Sequence, residues 1–269
     1  MCGDDPTRRD VLLGAAVLGV AGLLGRPGAA GAAPPAPDVA PVTVAPGLEI
    51  LPRDAWGADL PPKGPITGEE VRFLLVHHTA STNSYPAGGA RNVLRSVYGF
   101  QTGPAKGWPD VCYEFFVDRY GVVWEGRTGA LQAPVRADAT GGSQGFAQLV
   151  CLVGDFTSVV PTPAAQDSLV KVLAWLADRA GLDTSPGAAA TFVSRGSQRW
   201  PAGATVTTAT IAPHRAMSYT ECPGNAFAPV VERDLQARVH AARVPVPAPT
   251  PGPDGLVPAA RGRAHDLAG

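Results

Sequence analysis

Residues 71–81 read VRFLLVHHTAS. The apolar run Phe73-Leu74-Leu75-Val76 reads as a buried strand. It stops abruptly at two histidines, His77 and His78, where such a strand delivers its last residues to the rim of the sheet. Residues 208–224, TATIAPHRAMSYTECPG, have the same shape: an apolar run ends in His214, and Cys222 follows eight positions later. Taken singly, a strand-end histidine is an ordinary rim residue and a cysteine before Pro-Gly is ordinary packing. The chain has only five histidines, however. Two such strand ends converging would gather two imidazoles and a thiolate. Nitrogen and sulfur donors in that number suit zinc, with a fourth position left for water as a catalytic site requires.

The surrounding periodicities supply the sheet and its covers. ARNVLRSVYGFQ, residues 90–101, is amphipathic, with Val93, Leu94, Val97 and Phe100 expected on one helical face. VCYEFFVD and VVWEGR read as a hairpin turning at Gly121, and AQLVCLVGDF as a further buried strand. The clearest helix begins at a Thr162 cap with Pro163 in its first turn, runs through Leu169, Val172, Leu173, Leu176 and Ala180, and stops at Gly181. TFVSRGSQRWPAGATVTTATIAPH predicts a strand pair whose second strand runs into His214, and AFAPVVERDLQARVHAARV a closing helix. Strands alternating with helices give an α/β class: a single domain with a central mixed β-sheet flanked by helices.

The ends differ in composition from this domain. TRRDVLLGAAVLGVAGLLGRPGAAGAA has paired arginines, Arg8 and Arg9, before an apolar run too short for the ~20 residues of a membrane span. Residues 1–33 are therefore expected to be a signal peptide. Thr-Arg-Arg-Asp-Val-Leu resembles the twin-arginine export signal, and export that survives replacement of both arginines by lysine would contradict that. Residues 34–47 read as a Pro/Ala-rich spacer, 48–243 as the folded domain and 244–269 as a Pro-rich disordered tail. A net charge of −1 over 269 residues leaves no footprint for nucleic acid or an anionic membrane surface. The protein is expected to be exported, with no stable membrane insertion once the signal is removed, and monomeric. Three cysteines remain after the signal, so at least one is unpaired within the chain. Cys112 and Cys151 either pair or are two buried small residues.

Four separated motifs, VHHTAS, GWPDVCYEFFVDRYGVVWEGR, LVCLVGDFT and HRAMSYTECPG, resemble in order and spacing the zinc-dependent N-acetylmuramoyl-L-alanine amidases of the peptidoglycan recognition protein family (type 2 amidases). LPRDAWGADLP and RGSQRWPAGATVT are similar to bacterial secreted members. The resemblance implies the type 2 amidase fold and Zn2+ held by His77, His214 and Cys222, with His78 a neighbour and not a ligand. It implies Tyr113 and Thr220 as the catalytic hydroxyls, and peptidoglycan or muropeptides as substrate, cut between N-acetylmuramic acid and L-alanine. The alternative is a module that recognises peptidoglycan without cutting it. Members that only bind typically lack the metal cysteine, which this chain has. Glu221, beside a ligand, is either a base or a partner of that ligand or, the preferred reading, an exposed loop charge. Alternation along VCYEFFV turns Glu114 away from the cleft if Tyr113 faces it, which argues against Glu114 as a base. The chain departs from the family pattern at Gln101, where a histidine is usual. It also has Cys112-Tyr113-Glu114 in place of Gly-Tyr-Asn, and Ala139-Thr140-Gly141-Gly142 before the central strand. These departures bear on substrate preference and rate.

Overall fold

The computed structural model describes residues 39–141 and 145–243. The expected signal peptide and Pro-rich tail lie outside the described residues. Among the described residues, nine strands form two sheets. The larger holds β1 (Val42–Ala45), β2 (Leu48–Leu51), β3 (Phe73–His78), β4 (Phe115–Val117), β5 (Val123–Glu125), β6 (Ala147–Leu152) and β9 (Ile211–Pro213), in the order β1-β2-β5-β4-β6-β3-β9. It is mixed: β3 is parallel to β6 and β9, β4 to β6 and β2 to β5, while β1–β2 and β4–β5 are antiparallel. The hairpin of β7 (Ala189–Val193) and β8 (Thr205–Ala209) stands apart as a second sheet. The helices are α1 (Asp54–Gly57), α2 (Ala90–Thr102), α3 (Pro163–Arg179), α4 (Ala228–Val230) and α5 (Gln236–Arg243), with a π-helical turn Val231–Leu235 joining the last two.

The parallel strands fix where a cleft can open, because they end along one edge of the sheet and no ladder continues past their last residues. All six residues of β3 are buried, and His77 lies opposite Cys151 in the register. Alternation along β3 then assigns the faces. Leu74 and Val76, with Phe115, Val150 and Leu152, pack on Leu169, Leu173 and Leu176 of α3 and on Leu235 and Val239. Phe73 and Leu75 point to the other face, where Leu149 joins Phe192 and Val206 of the hairpin. Beside them Cys151 and Phe116 pack on Leu94 and Tyr98 of α2 and on Trp56. Tyr113 touches both of these clusters, so it stands between α2 and the hairpin.

Most of the expected elements form where the periodicity put them. Thr162 caps α3, its Oγ1 accepting the Ala165 N–H, and Gly121 turns the β4–β5 hairpin at φ +83°. Three differences have local causes. Val42–Ala45, inside the expected spacer, is a strand, since alternating β-branched residues there find the edge of β2. Helix α2 buries Ala90, Leu94, Tyr98 and Gln101, while Phe100 is 51% exposed; the face is turned from the expected one because the Tyr98 hydroxyl reaches the Pro61 carbonyl and Gln101 reaches Cys112. The strand expected to run into His214 breaks after Ala209, so β8 pairs with β7 and β9 pairs with β3. The cysteines settle on the unpaired reading: Cys112, Cys151 and Cys222 are all free and buried.

Candidate metal centre

His77 and His214 arrive from neighbouring parallel strands. His77 is the fifth residue of β3, and His214 opens the 3-10 turn His214–Ala216 directly after β9. The turn is closed by Met217 N–H and Ser218 N–H, both donating to the His214 carbonyl. Arg215 then folds the loop back. Its N–H donates to the Cys222 carbonyl at 3.2 Å, and its guanidinium donates to the Glu221 carbonyl and to Asn225 Oδ1. That closure brings Cys222 under the end of β3, where the His78 N–H donates to its sulfur at 3.4 Å.

One ligand atom from each of His77, His214 and Cys222 lies within 4.8 Å of the other two. The two imidazole centroids are 4.1 Å apart. Cys222 Sγ and His77 Nδ1 are separated by 3.6 Å. A tetrahedral zinc with Zn–S of ~2.3 Å and Zn–N of ~2.0–2.1 Å needs an S···N edge of ~3.6 Å, so the observed spacing fits the ion. The other nitrogen of His77, Nε2, is buried without a protein partner. Burial pulls His214 down to about 3 and His77 well below the ordinary histidine value, which keeps both rings neutral with a lone pair available. Burial also pushes the Cys222 thiol up to about 12, against the opposing pull of the His78 amide and Arg215. A sulfur held that strongly protonated becomes a thiolate when a cation takes the proton's place.

His78 is a supporting neighbour. Its Nδ1 accepts the Phe156 N–H at 3.2 Å and its own N–H serves Cys222; burial lowers it to about 4. Tyr113 stands beside the trio, its ring centroid 5.1 Å from that of His77 and packed edge-on against Phe116. Burial raises its phenol well above the usual tyrosine value, so it remains a proton donor at any working pH. Thr220 is a lip residue of the same loop: its Oγ1 accepts the Cys222 N–H at 3.2 Å, which leaves its O–H free to donate. Glu221 is exposed, as expected.

The departures from the family pattern fall into contact. Gln101 Oε1 accepts the Cys112 N–H and its Nε2 donates to Cys112 Sγ, both at 2.9 Å, so two unusual residues form one pair that braces the backbone next to Tyr113. Neither alone signals this in the sequence. Gly141, at φ +93°, passes so close to the loop between His214 and Cys222 that a Cβ there would lie 2.6 Å from the Met217 carbonyl. Glu114 turns to the sheet ladder, where Oε2 accepts the Leu149 N–H at 2.7 Å while Oε1 has no protein partner. It is no base for the cleft.

Glu114 does carry a stability consequence. Burial raises its carboxyl from 4.5 to about 8. Because the folded value exceeds the unfolded one, the folded state holds an extra proton between those limits, and stability declines as pH rises from 4.5 toward 8. Glu114→Gln removes that slope. Its unfolding free energy, from urea titration, is expected to match the wild type near pH 5 and exceed it above pH 8, by an amount on the order of 4 kcal/mol at most. An equal gap at both pH values would contradict the assignment.

Residues 67–225, more than half of the chain, match the family model described as N-acetylmuramoyl-L-alanine amidase. The chain belongs to the N-acetylmuramoyl-L-alanine amidase family. Within that family it is 31% identical over 186 residues to the N-acetylmuramoyl-L-alanine amidase of Homo sapiens, covering 66% of this chain and 27% of that one. It is 29% identical over 84 residues to peptidoglycan-recognition protein SC1a/b of Drosophila simulans, covering 31% of this chain and 45% of that one. The chain thus spans from a quarter to just under half the length of these curated relatives. Among solved structures, Drosophila peptidoglycan recognition protein SD aligns at a TM-score of 0.52 with 21% identity, over 68% of this chain and 92% of that one. Peptidoglycan recognition protein LE, in complex with tracheal cytotoxin, a monomeric diaminopimelic acid-type peptidoglycan, aligns at 0.52 with 21% identity, over 68% and 91%. These likenesses fix the fold as that of the amidase family. No helix among the described residues is long and apolar enough to cross a membrane.

Proposed function

We propose that the chain is an exported zinc hydrolase that cuts the amide joining the lactyl group of N-acetylmuramic acid to the L-alanine of the peptide stem. The observation that carries this reading is the trio His77, His214 and Cys222, whose donor atoms lie within 4.8 Å of one another. Three protein donors are the number that leaves zinc a corner for water. When bound, zinc supplies a Lewis acid and makes hydroxide available near neutral pH.

The chain's own groups do the rest. His77 and His214 present neutral imidazoles and Cys222 a sulfur steadied by the His78 amide. The Tyr113 hydroxyl, kept protonated by burial, donates toward the scissile carbonyl oxygen as it gains negative charge. Thr220, whose Oγ1 accepts the Cys222 N–H, offers a second hydroxyl from the loop that carries Cys222. Tyr113 packs edge-on against the fully buried Phe116, an apolar backing that strengthens its hydroxyl as a donor. Passage through the twin-arginine route, which carries folded proteins, fits a chain that takes up metal before leaving the cytoplasm.

Recognition without hydrolysis is the competing reading, and one experiment separates the two. The full chain is incubated with muropeptides, with and without a chelator, and free stem peptide is followed by mass spectrometry. Release that stops with chelator and returns with zinc supports the amidase. Binding with no release would assign the cleft to recognition alone.

A further inference from the structure

The β7–β8 hairpin touches both segments that deliver the histidines. Phe192, in its first strand, stacks on Phe73, the first residue of β3, with centroids 5.2 Å apart and planes within 5°. At its tip three consecutive side chains reach the turn after β9. Arg199 Nη1 donates to the Arg215 carbonyl at 2.7 Å, Trp200 Nε1 donates to the Ala216 carbonyl at 2.9 Å, and Gln198 Oε1 accepts the Ser218 hydroxyl at 3.1 Å. The tip itself is tied down: Ser197 N–H and Ser194 Oγ donate to the Trp200 carbonyl at 2.8 and 2.9 Å, and the Trp200 N–H donates to Ser197 Oγ at 2.9 Å.

The turn needs such an anchor. Its only internal bonds converge on the His214 carbonyl, which leaves the carbonyls of Arg215 and Ala216 without a partner inside the turn. The hairpin supplies both. A ligand whose backbone is already fixed loses less freedom when the ion arrives, so the site is tighter.

We propose that residues 198–200 are a positioning clamp: by holding the carbonyls after His214, they set the affinity of the site for its metal. The inference rests on the zinc reading above. Outer partners of metal ligands typically account for ~10–100-fold in affinity, and the clamp belongs in that range.

The test titrates cobalt(II) into the full chain against a competing chelator, reading the visible absorption of the cobalt site and, separately, the melting temperature of the metal-free protein. Trp200→Phe keeps the ring and removes its N–H; Arg199→Met keeps the stem and removes the guanidinium. The double variant is expected to bind cobalt at least ~10-fold more weakly, with an altered spectrum and a metal-free melting temperature close to that of the wild type. Thr207→Val, which breaks the exposed Thr191–Thr207 hydroxyl pair at 2.9 Å in the same hairpin, is expected to leave affinity unchanged. Equal affinity in the double variant and the wild type would overturn the clamp. So would an equal loss in Thr207→Val, which would mark a general effect of hairpin stability. A wild type that takes up no cobalt would instead sink the zinc reading, and the clamp with it.

Discussion

Replacing Cys222 by serine is expected to empty the site of zinc and to reduce hydrolysis by more than the ~10–100-fold that outer partners of ligands are worth. The substitution preserves shape and changes the donor. A buried serine hydroxyl does not ionise near neutral pH, and its hard oxygen is a poorer zinc ligand than a thiolate. The two imidazoles remain, but two neutral nitrogens hold zinc far less tightly than a set that includes an anion. The loss is not one of folding: Cys222 Sγ accepts the His78 N–H, which a serine oxygen also accepts, so the metal-free variant is expected to melt within a few degrees of the metal-free wild type. Metal content by elemental analysis and release of stem peptide are the two readouts. A Cys222→Ser protein that kept one zinc per chain and its full rate would remove the sulfur from the account.

Tyr113→Phe carries the second large effect, of the opposite kind. The ring's contacts with His77 and Phe116 survive, so metal and fold are retained, and only the hydroxyl is lost. Deleting one donor aimed at developing negative charge costs ~10²–10³-fold in kcat, with little change in KM. Because burial holds the phenol proton on above the working range, the pH profile of the wild type is expected to owe none of its neutral-range curvature to Tyr113. An unchanged kcat in Tyr113→Phe would take the tyrosine out of the chemistry.

Much of this architecture was legible in the letters, for identifiable reasons. The run Phe73–Val76 reads as a buried strand because it is continuously apolar, and it is the strand between β6 and β9. Thr162, Pro163 and Gly181 are local signals with local causes, and they bound α3 to within a residue or two. The trio was legible for a different reason: both histidines stand at strand ends that could converge, and the resemblance of four motifs to the amidase family singled out His77, His214 and Cys222. What the sequence does not carry is contact at a distance. The helical stripe of α2 placed Phe100 inward, but the Pro61 carbonyl and the Cys112 side chain, outside the helix, decide which face is buried. Gln101 and Cys112 each read as a loss relative to the family, and only their mutual hydrogen bonds show that they form a pair. The hairpin's grip on the turn after His214 is likewise invisible until Trp200 and Ala216, sixteen positions apart, are seen to meet.

The central claim is that two imidazole nitrogens and one sulfur share a single zinc with room for solvent. X-ray absorption at the zinc edge of the loaded full chain tests it most directly. The account predicts one sulfur at ~2.3 Å and three nitrogen or oxygen neighbours at ~2.0–2.1 Å, with the sulfur shell gone in Cys222→Ser. A zinc environment without sulfur in the wild type, or with four protein donors and no place for water, would contradict it.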